Sequence, residues 1–139
     1  MEIRQYEDSD RQQVIALWKE LELVVPWNDP DKDIDRKLSV DPNTFFVGEV
    51  GGELMATMMV GYDGHRGWVN YLAVSLSQQR RGYASKLMAY AEEILIAKGC
   101  PKLNLQVRGT NKKVLRFYES IGYIDDRAVS LGKRLIPDI

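Results

Sequence analysis

The chain has 139 residues, 45% hydrophobic and 28% charged, which suits one globular domain, 1–139, with its own core. Its net charge of −1 hides an uneven split, since residues 1–70 carry 14 acidic and 7 basic side chains and residues 71–139 carry 6 and 12. No apolar run reaches the length of a membrane span, the opening Met1-Glu2-Ile3-Arg4-Gln5-Tyr6 lacks a secretory leader's pattern, and Cys100 has no second cysteine to pair with, so a cytoplasmic place is expected.

Glu2 to Gln5 reads as a short first strand. Ser9 with Gln12 fits a capping box, followed by Val14, Leu17, Trp18 and Leu21 at helical spacing. Asp29-Pro30 reads as the cap and first residue of a second helix, with Ile34 and Leu38 four apart and Asp31 and Asp33 early, where acids suit the helix dipole. The same acids, with Asp35, are also placed to attract a cationic substrate. Thr44–Val50 and Glu53–Val60 are β-rich runs joined by Gly51-Gly52, a hairpin signal. Gly61 to Gly67 is a loop and Trp68–Val74 a strand.

The most informative stretch follows. Gln79-Arg80-Arg81-Gly82-Tyr83-Ala84-Ser85 joins that strand to a helix from Ala84 to Lys98. A basic, glycine-bearing loop that opens into a helix makes an anion site, because the first helical N–H groups lack acceptors and the dipole's positive end faces the ligand. Neither a Walker A loop nor the three-glycine dinucleotide fingerprint is present. Gly99 and Pro101 stop the helix. Lys102–Val107 alternates as a strand, Asn111 to about Ile121 is a helix closed by Gly122, and Ile124–Leu135 supplies one or two last strands. No Cys/His cluster suggests a metal. Nucleic acid is a poor fit to the basic half, which has neither a long Lys/Arg block nor recurring aromatics.

The pattern Gln79-x-x-Gly82-x-Ala84 resembles the acetyl-CoA pyrophosphate motif of the GNAT superfamily of N-acetyltransferases. The element order β, α, α, β, β, β, α, β, α, β resembles the whole of that fold, and Asn111-Lys112-Lys113-Val114-Leu115-Arg116-Phe117-Tyr118 through Gly122-Tyr123 is similar to its second signature. Pro26-Trp27-Asn28-Asp29-Pro30, the loop Tyr62–Gly67 and Ser130–Leu135 look like the small bacterial YpeA-type members. The resemblance implies a mixed α/β (α+β) fold, with a mostly antiparallel central sheet of six to seven strands flanked by about four helices.

It also implies acetyl-CoA as cosubstrate. Arg80 and the backbone N–H groups of Arg81, Gly82, Tyr83, Ala84 and Ser85, after Gln79, would hold the pyrophosphate. The main chain of Leu72, Ala73 and Val74 would pair with the pantetheine arm, and a bulge usual in the family would free an N–H near Leu72 for the oxyanion. Tyr118 matches the family's general acid, although its periodicity alone is that of a core aromatic. Asn111 binds the pantetheine amide in relatives, or caps its helix. An acid on the central strand serves as base in many relatives, but Trp68–Val74 contains none, leaving Glu49, Asp63, His65 or water as candidates. The acidic N-terminal half points to a small cationic amine or a peptide amine as the acceptor, attacked directly in a ternary complex. A CoA-binding module without turnover is the alternative. Members often pair through their C-terminal strands, so a homodimer is the form the resemblance implies.

Overall fold

A computed structural model describes residues 1–139. Its contacts divide the chain into two compact units, Met1–Asn104 with Asp138–Ile139, and Leu105–Pro137.

The first unit is built on one five-stranded sheet in sequential order: β1 (Glu2–Gln5), β2 (Phe45–Val50), β3 (Glu53–Tyr62), β4 (Gly67–Val74) and β5 (Leu103–Asn104). Pairing is antiparallel from β1 to β4, and β5 joins β4 in parallel. Helices α1 (Arg11–Glu20) and α2 (Pro30–Val40) lie between β1 and β2 in the chain, and α3 (Tyr83–Ala97) follows β4. Strand alternation sorts the core into two layers. Phe45, Val47, Met59 and Ala73 pack with Trp18 and Leu17 of α1 and Ile34 of α2. Phe46 points to the other face, where its ring meets the edge of Tyr90 of α3 at 5.0 Å.

The local reasons are legible. Gly51 and Gly52 have φ of 59° and 81°, the two positive values that a primed two-residue turn demands, and Val50 pairs with Glu53 across it. Asp29 caps α2 by accepting the Asp31 N–H at 2.9 Å, with Pro30 in the first turn. The expected Ser9 box does not form. A short 3-10 turn, Asp8–Asp10, precedes α1, and the capping acid is Asp10, whose Oδ2 accepts the Glu7 N–H at 2.9 Å. Arg4 draws that carboxylate in with a two-pronged ion pair of 2.8 and 2.9 Å, leaving Ser9 no role in the cap.

That pair carries a pH dependence. Arg4, and after it the Glu7 N–H, hold the Asp10 carboxyl below the usual range. A depressed folded-state value stabilises above the unfolded one, so this contribution is present above about pH 4 and lost as acid protonates the folded carboxylate. Urea unfolding at neutral pH and at about pH 3 should therefore show a smaller acid loss in Asp10→Asn than in the wild type. An equal loss in both would refute the assignment.

Asp138, near the chain's end, is wholly buried against α2. Its carboxylate accepts the Asp29 N–H at 2.8 Å and pairs with Arg36, and its carbonyl accepts Lys32 Nζ at 2.5 Å.

The second unit contains α4 (Lys112–Ser120), capped by Asn111 Oδ1 accepting the Val114 N–H at 3.3 Å. Two expectations are corrected. The strand Lys102–Val107 reduces to Leu103–Asn104, and Ile124–Leu135 forms no strand, so the sheet has five strands rather than six or seven. In that last segment Asp125 Oδ1 accepts the Arg127 N–H at 2.7 Å and Arg127 takes φ of 56°, a local turn that bends the chain away from extended geometry. Val129, Leu131 and Leu135 are left more than four-fifths exposed.

Candidate active site

The site starts from the edge of β4. Strand β5 pairs only with Gly67 and Trp68, so no strand pairs with the same edge of β4 from Val69 to Val74. The Ser75 N–H donates to the Met55 carbonyl of β3 at 2.8 Å, which fixes the alternation. Ala73 turns its backbone groups to β3, while Leu72 and Val74 turn theirs to the open edge. An extended ligand could add there as a strand.

The register breaks in the middle of this edge. Thr57 pairs with Ala73 but Met59 with Asn70, so β4 carries one residue more than β3 over that interval. The bulge sits at Tyr71–Leu72, and Tyr71 has φ of 52°, an unusual value for an aromatic residue. Three contacts hold it. The Tyr71 ring stacks on Trp18 at 3.8 Å between centroids, its carbonyl accepts the Thr57 hydroxyl at 2.9 Å, and its phenol donates to Asp33 Oδ2 at 2.6 Å. Thr57 Oγ1 in turn accepts the buried Trp18 indole N–H at 2.9 Å. Burial first, and Asp33 second, push the Tyr71 phenol well above its ordinary value, so it stays protonated and donates.

Beyond β4 the chain turns into α3. Glu20 Oε2 accepts the Leu76 N–H at 2.9 Å and the Ser75 hydroxyl at 3.1 Å, pinning the turn to the end of α1. The Gln79 amide donates to the Val74 carbonyl at 3.1 Å, closing the loop back on the strand. Arg80 (φ 64°) and Gly82 (φ 81°) are both left-handed, and Gly82 is the last residue before Tyr83 opens α3. Left-handed residues on either side of Arg81 turn successive N–H groups into one concavity, which the unpaired first N–H groups of α3 extend. A Cβ on Gly82 would meet no heavy atom within 4 Å, so space is open there and only the backbone conformation selects glycine. Arg80 and Arg81 are exposed, and the ion pairs of the first unit are made instead by Arg4, Arg11 and Arg36. Donors, charge and open space together fit a diphosphate.

The other expected residues are dispersed. Glu49 lies on β2, separated from β4 by β3, and accepts Arg4 Nε at 2.6 Å. Asp63 ties the β3–β4 loop, accepting the N–H groups of Arg66 at 2.7 Å and His65 at 2.8 Å and the Trp68 indole at 3.1 Å, and these donors lower its pKa. His65 is exposed in the same loop. Four residues of strand from Gly67 to Tyr71 put that loop about 13 Å from the bulge. In the second unit Asn111 caps α4, as the sequence allowed. Tyr118 is buried, its ring set edge-on to Phe117 at 5.0 Å and Tyr123 at 5.8 Å, and burial alone raises its phenol to about 12. Its proton is therefore retained across the neutral range. Asp33, Thr57, Trp18 and Tyr71 were not foreseen as site residues. The sequence marks Asp33 only by its early position in α2, which Asp31 shares, and by its place with Asp31 and Asp35 in an acidic cluster whose other two members Arg11 holds at 3.3 and 2.7 Å.

Residues 11–123 match the model of the acetyltransferase (GNAT) family. The chain belongs to the GNAT family. It is 50% identical over 139 residues to an acetyltransferase of Sodalis glossinidius, covering 99% of this chain and 98% of that one. Among solved GNAT-like folds, a putative acetyltransferase of Agrobacterium tumefaciens superposes with a TM-score of 0.78 at 18% identity, over 96% of this chain and 100% of that one. An aminoglycoside N-acetyltransferase bound to the bisubstrate analogue CoA-S-monomethyl-acetylneamine gives 0.76 at 19% identity, over 96% and 97%. The family match takes in the bulged strand β4, the Arg80–Gly82 turn, α3 and α4, and ends within the second unit. No group of three or more His, Cys, Asp and Glu side chains is placed to hold a metal, and no helix is long and apolar enough to cross a membrane.

Proposed function

We propose that this GNAT member is an acetyl-CoA-dependent N-acetyltransferase that moves the acetyl group to a primary amine by direct attack in a ternary complex. The observation that carries the reading is the continuity of two features on one chain segment: an open β4 edge, and a left-handed Arg80–Gly82 turn leading straight into the start of α3. The first suits an extended amide-bearing arm, the second its diphosphate.

In this reading the N–H groups from Arg81 to Ser85, with the Arg80 and Arg81 side chains, hold the diphosphate. The backbone of Leu72 and Val74 holds the arm, with Ala73 locked to β3 between them. The Leu72 N–H at the bulge offers a donor where negative charge develops on the thioester oxygen. Tyr118, neutral because buried, gives its proton to the departing sulfur. Asn111 steadies the arm's amide with whatever hydrogen-bonding capacity its capping role leaves. For the amine's proton, Asp63 is a weakened base because three donors already occupy it, Glu49 is engaged by Arg4, and His65 is distant along β4. Water is the acceptor these placements favour, with His65 the remaining side-chain candidate. The acidic first half suits a cationic acceptor, either a small cationic amine or a peptide or protein amine.

The absence of an acid on β4 is the one observation in favour of a CoA-binding module with no turnover. Incubating the chain with labelled acetyl-CoA and amine pools separates the two by mass spectrometry. Labelled N-acetyl product is expected; saturable binding with no product from any pool would favour the module.

The exposed apolar side chains of Val129, Leu131 and Leu135 favour association of two copies through the C-terminal segment. Light scattering should give twice the mass of one chain, and Leu131→Lys should halve it. A wild-type monomer at high concentration would sink this part.

A further inference from the structure

We infer that Asp33 of α2 is a positioning residue for acetyl transfer, acting through Tyr71 to hold the β4 bulge in the form that presents the Leu72 N–H at the open edge. The inference rests on the transferase reading above and adds to it a residue outside both the cradle and β4.

A tyrosine does not adopt φ of 52° unaided, because its Cβ crowds the following carbonyl oxygen. Such a conformation persists only where surrounding contacts over-determine it. The backbone of Tyr71 is held at its carbonyl by Thr57, and its ring by the Trp18 stack. Stacking leaves a ring free to slide in its own plane, so the third restraint, the 2.6 Å bond from the phenol to Asp33, is what fixes the ring along that plane and with it the Cα. Asp33 can serve as an anchor because it is itself anchored. Its Oδ1 accepts Arg36 Nη1 at 3.0 Å, and Arg36 also pairs with the buried Asp138 carboxylate. The path from α2 to the bulge is thus a chain of charged and hydrogen-bonded groups, each with a partner on either side. Every member is at least half-buried save Arg36.

The hydrogen-bonding donor of a bulge is useful only if its direction is set in advance. An N–H that must first be oriented contributes less to a developing charge than one already aimed. Loss of the Asp33–Tyr71 bond should therefore loosen the polarisation of the thioester carbonyl while leaving the diphosphate anchor, which lies beyond β4, as it was.

The test uses the full chain with acetyl-CoA carrying a heavy carbon at the acetyl carbonyl, and needs no acceptor. Isotope-edited infrared spectra report the carbonyl stretch, which falls in frequency as a hydrogen bond to the oxygen strengthens. Bound to the wild type, the stretch is expected below that of free acetyl-CoA. Tyr71→Phe, which keeps the ring stack, and Asp33→Ala should each lose at least half of that downshift, while the calorimetric Kd for acetyl-CoA changes by less than about threefold. Asp33→Asn, which still offers an oxygen to the phenol, should restore most of it. Full downshift in both Tyr71→Phe and Asp33→Ala would overturn the inference, as would a wild type that binds with no downshift. A wild type that does not bind acetyl-CoA at all would bring down the transferase reading first and this inference with it.

Discussion

Acetyl-CoA should bind the wild-type chain saturably in calorimetry and fail to bind an Arg81→Ala, Gly82→Asp double variant. The magnitude follows from the cradle. Asp is tolerated better than most residues at the left-handed φ of 81° that Gly82 adopts, and it is a good cap for the first turn of α3, so the variant should fold and melt close to the wild type. The damage is to the ligand. The new carboxylate claims the same helical N–H groups that the diphosphate needs and repels its charge, while Arg81→Ala removes a charge-assisted donor worth about 1.5–3 kcal/mol. Together these should cost at least about 3 kcal/mol, beyond a hundredfold in Kd. A wild type of roughly micromolar affinity would then drop out of the measurable range. Unchanged binding in a folded variant would place the anion site elsewhere.

The second large effect concerns Tyr118. Tyr118→Phe keeps the ring and its edge contacts with Phe117 and Tyr123, so thermal stability should change little. Removing a general acid typically costs about 10²–10⁴ in rate, and the loss should fall on kcat with little change in acetyl-CoA affinity. The buried phenol, held at about 12, also predicts that this group imposes no loss of rate as pH rises through the neutral range toward 10. If kcat were unchanged in Tyr118→Phe with an acceptor that turns over, another group would have to protonate the sulfur.

What could be read ahead of the structure was local. Gly51-Gly52, Asp29-Pro30, Gly82 before α3 and Asn111 before α4 each declare a backbone conformation or cap within a few residues, and each behaves accordingly. The bulge could not be read, because a left-handed Tyr71 is produced by Thr57, Trp18 and Asp33, residues 14, 53 and 38 positions away, overriding its own preference. Ile124–Leu135 failed in the opposite sense. Its residues suit a strand, yet a strand exists only with a neighbour to pair with, and the Asp125–Arg127 turn bends the segment first. The site residues divided along the same line. The Arg80–Gly82 turn before α3 was legible as a motif, whereas Asp33 looked much like its neighbouring acids until the fold brought Tyr71 to it and Arg11 to Asp31 and Asp35.

The bond from the Asp29 N–H to Asp138 spans 109 positions. Synthesis runs at about 5–20 residues per second, so helix α2 leaves the ribosome roughly 5–20 s before the residue that completes its first turn exists. During that interval Arg36 has no buried carboxylate to pair with. The nascent N-terminal half therefore waits for residue 138 to be made before its last polar lock can form, and a ribosome stalled just short of that residue would hold a chain with all five strands but an unlatched α2.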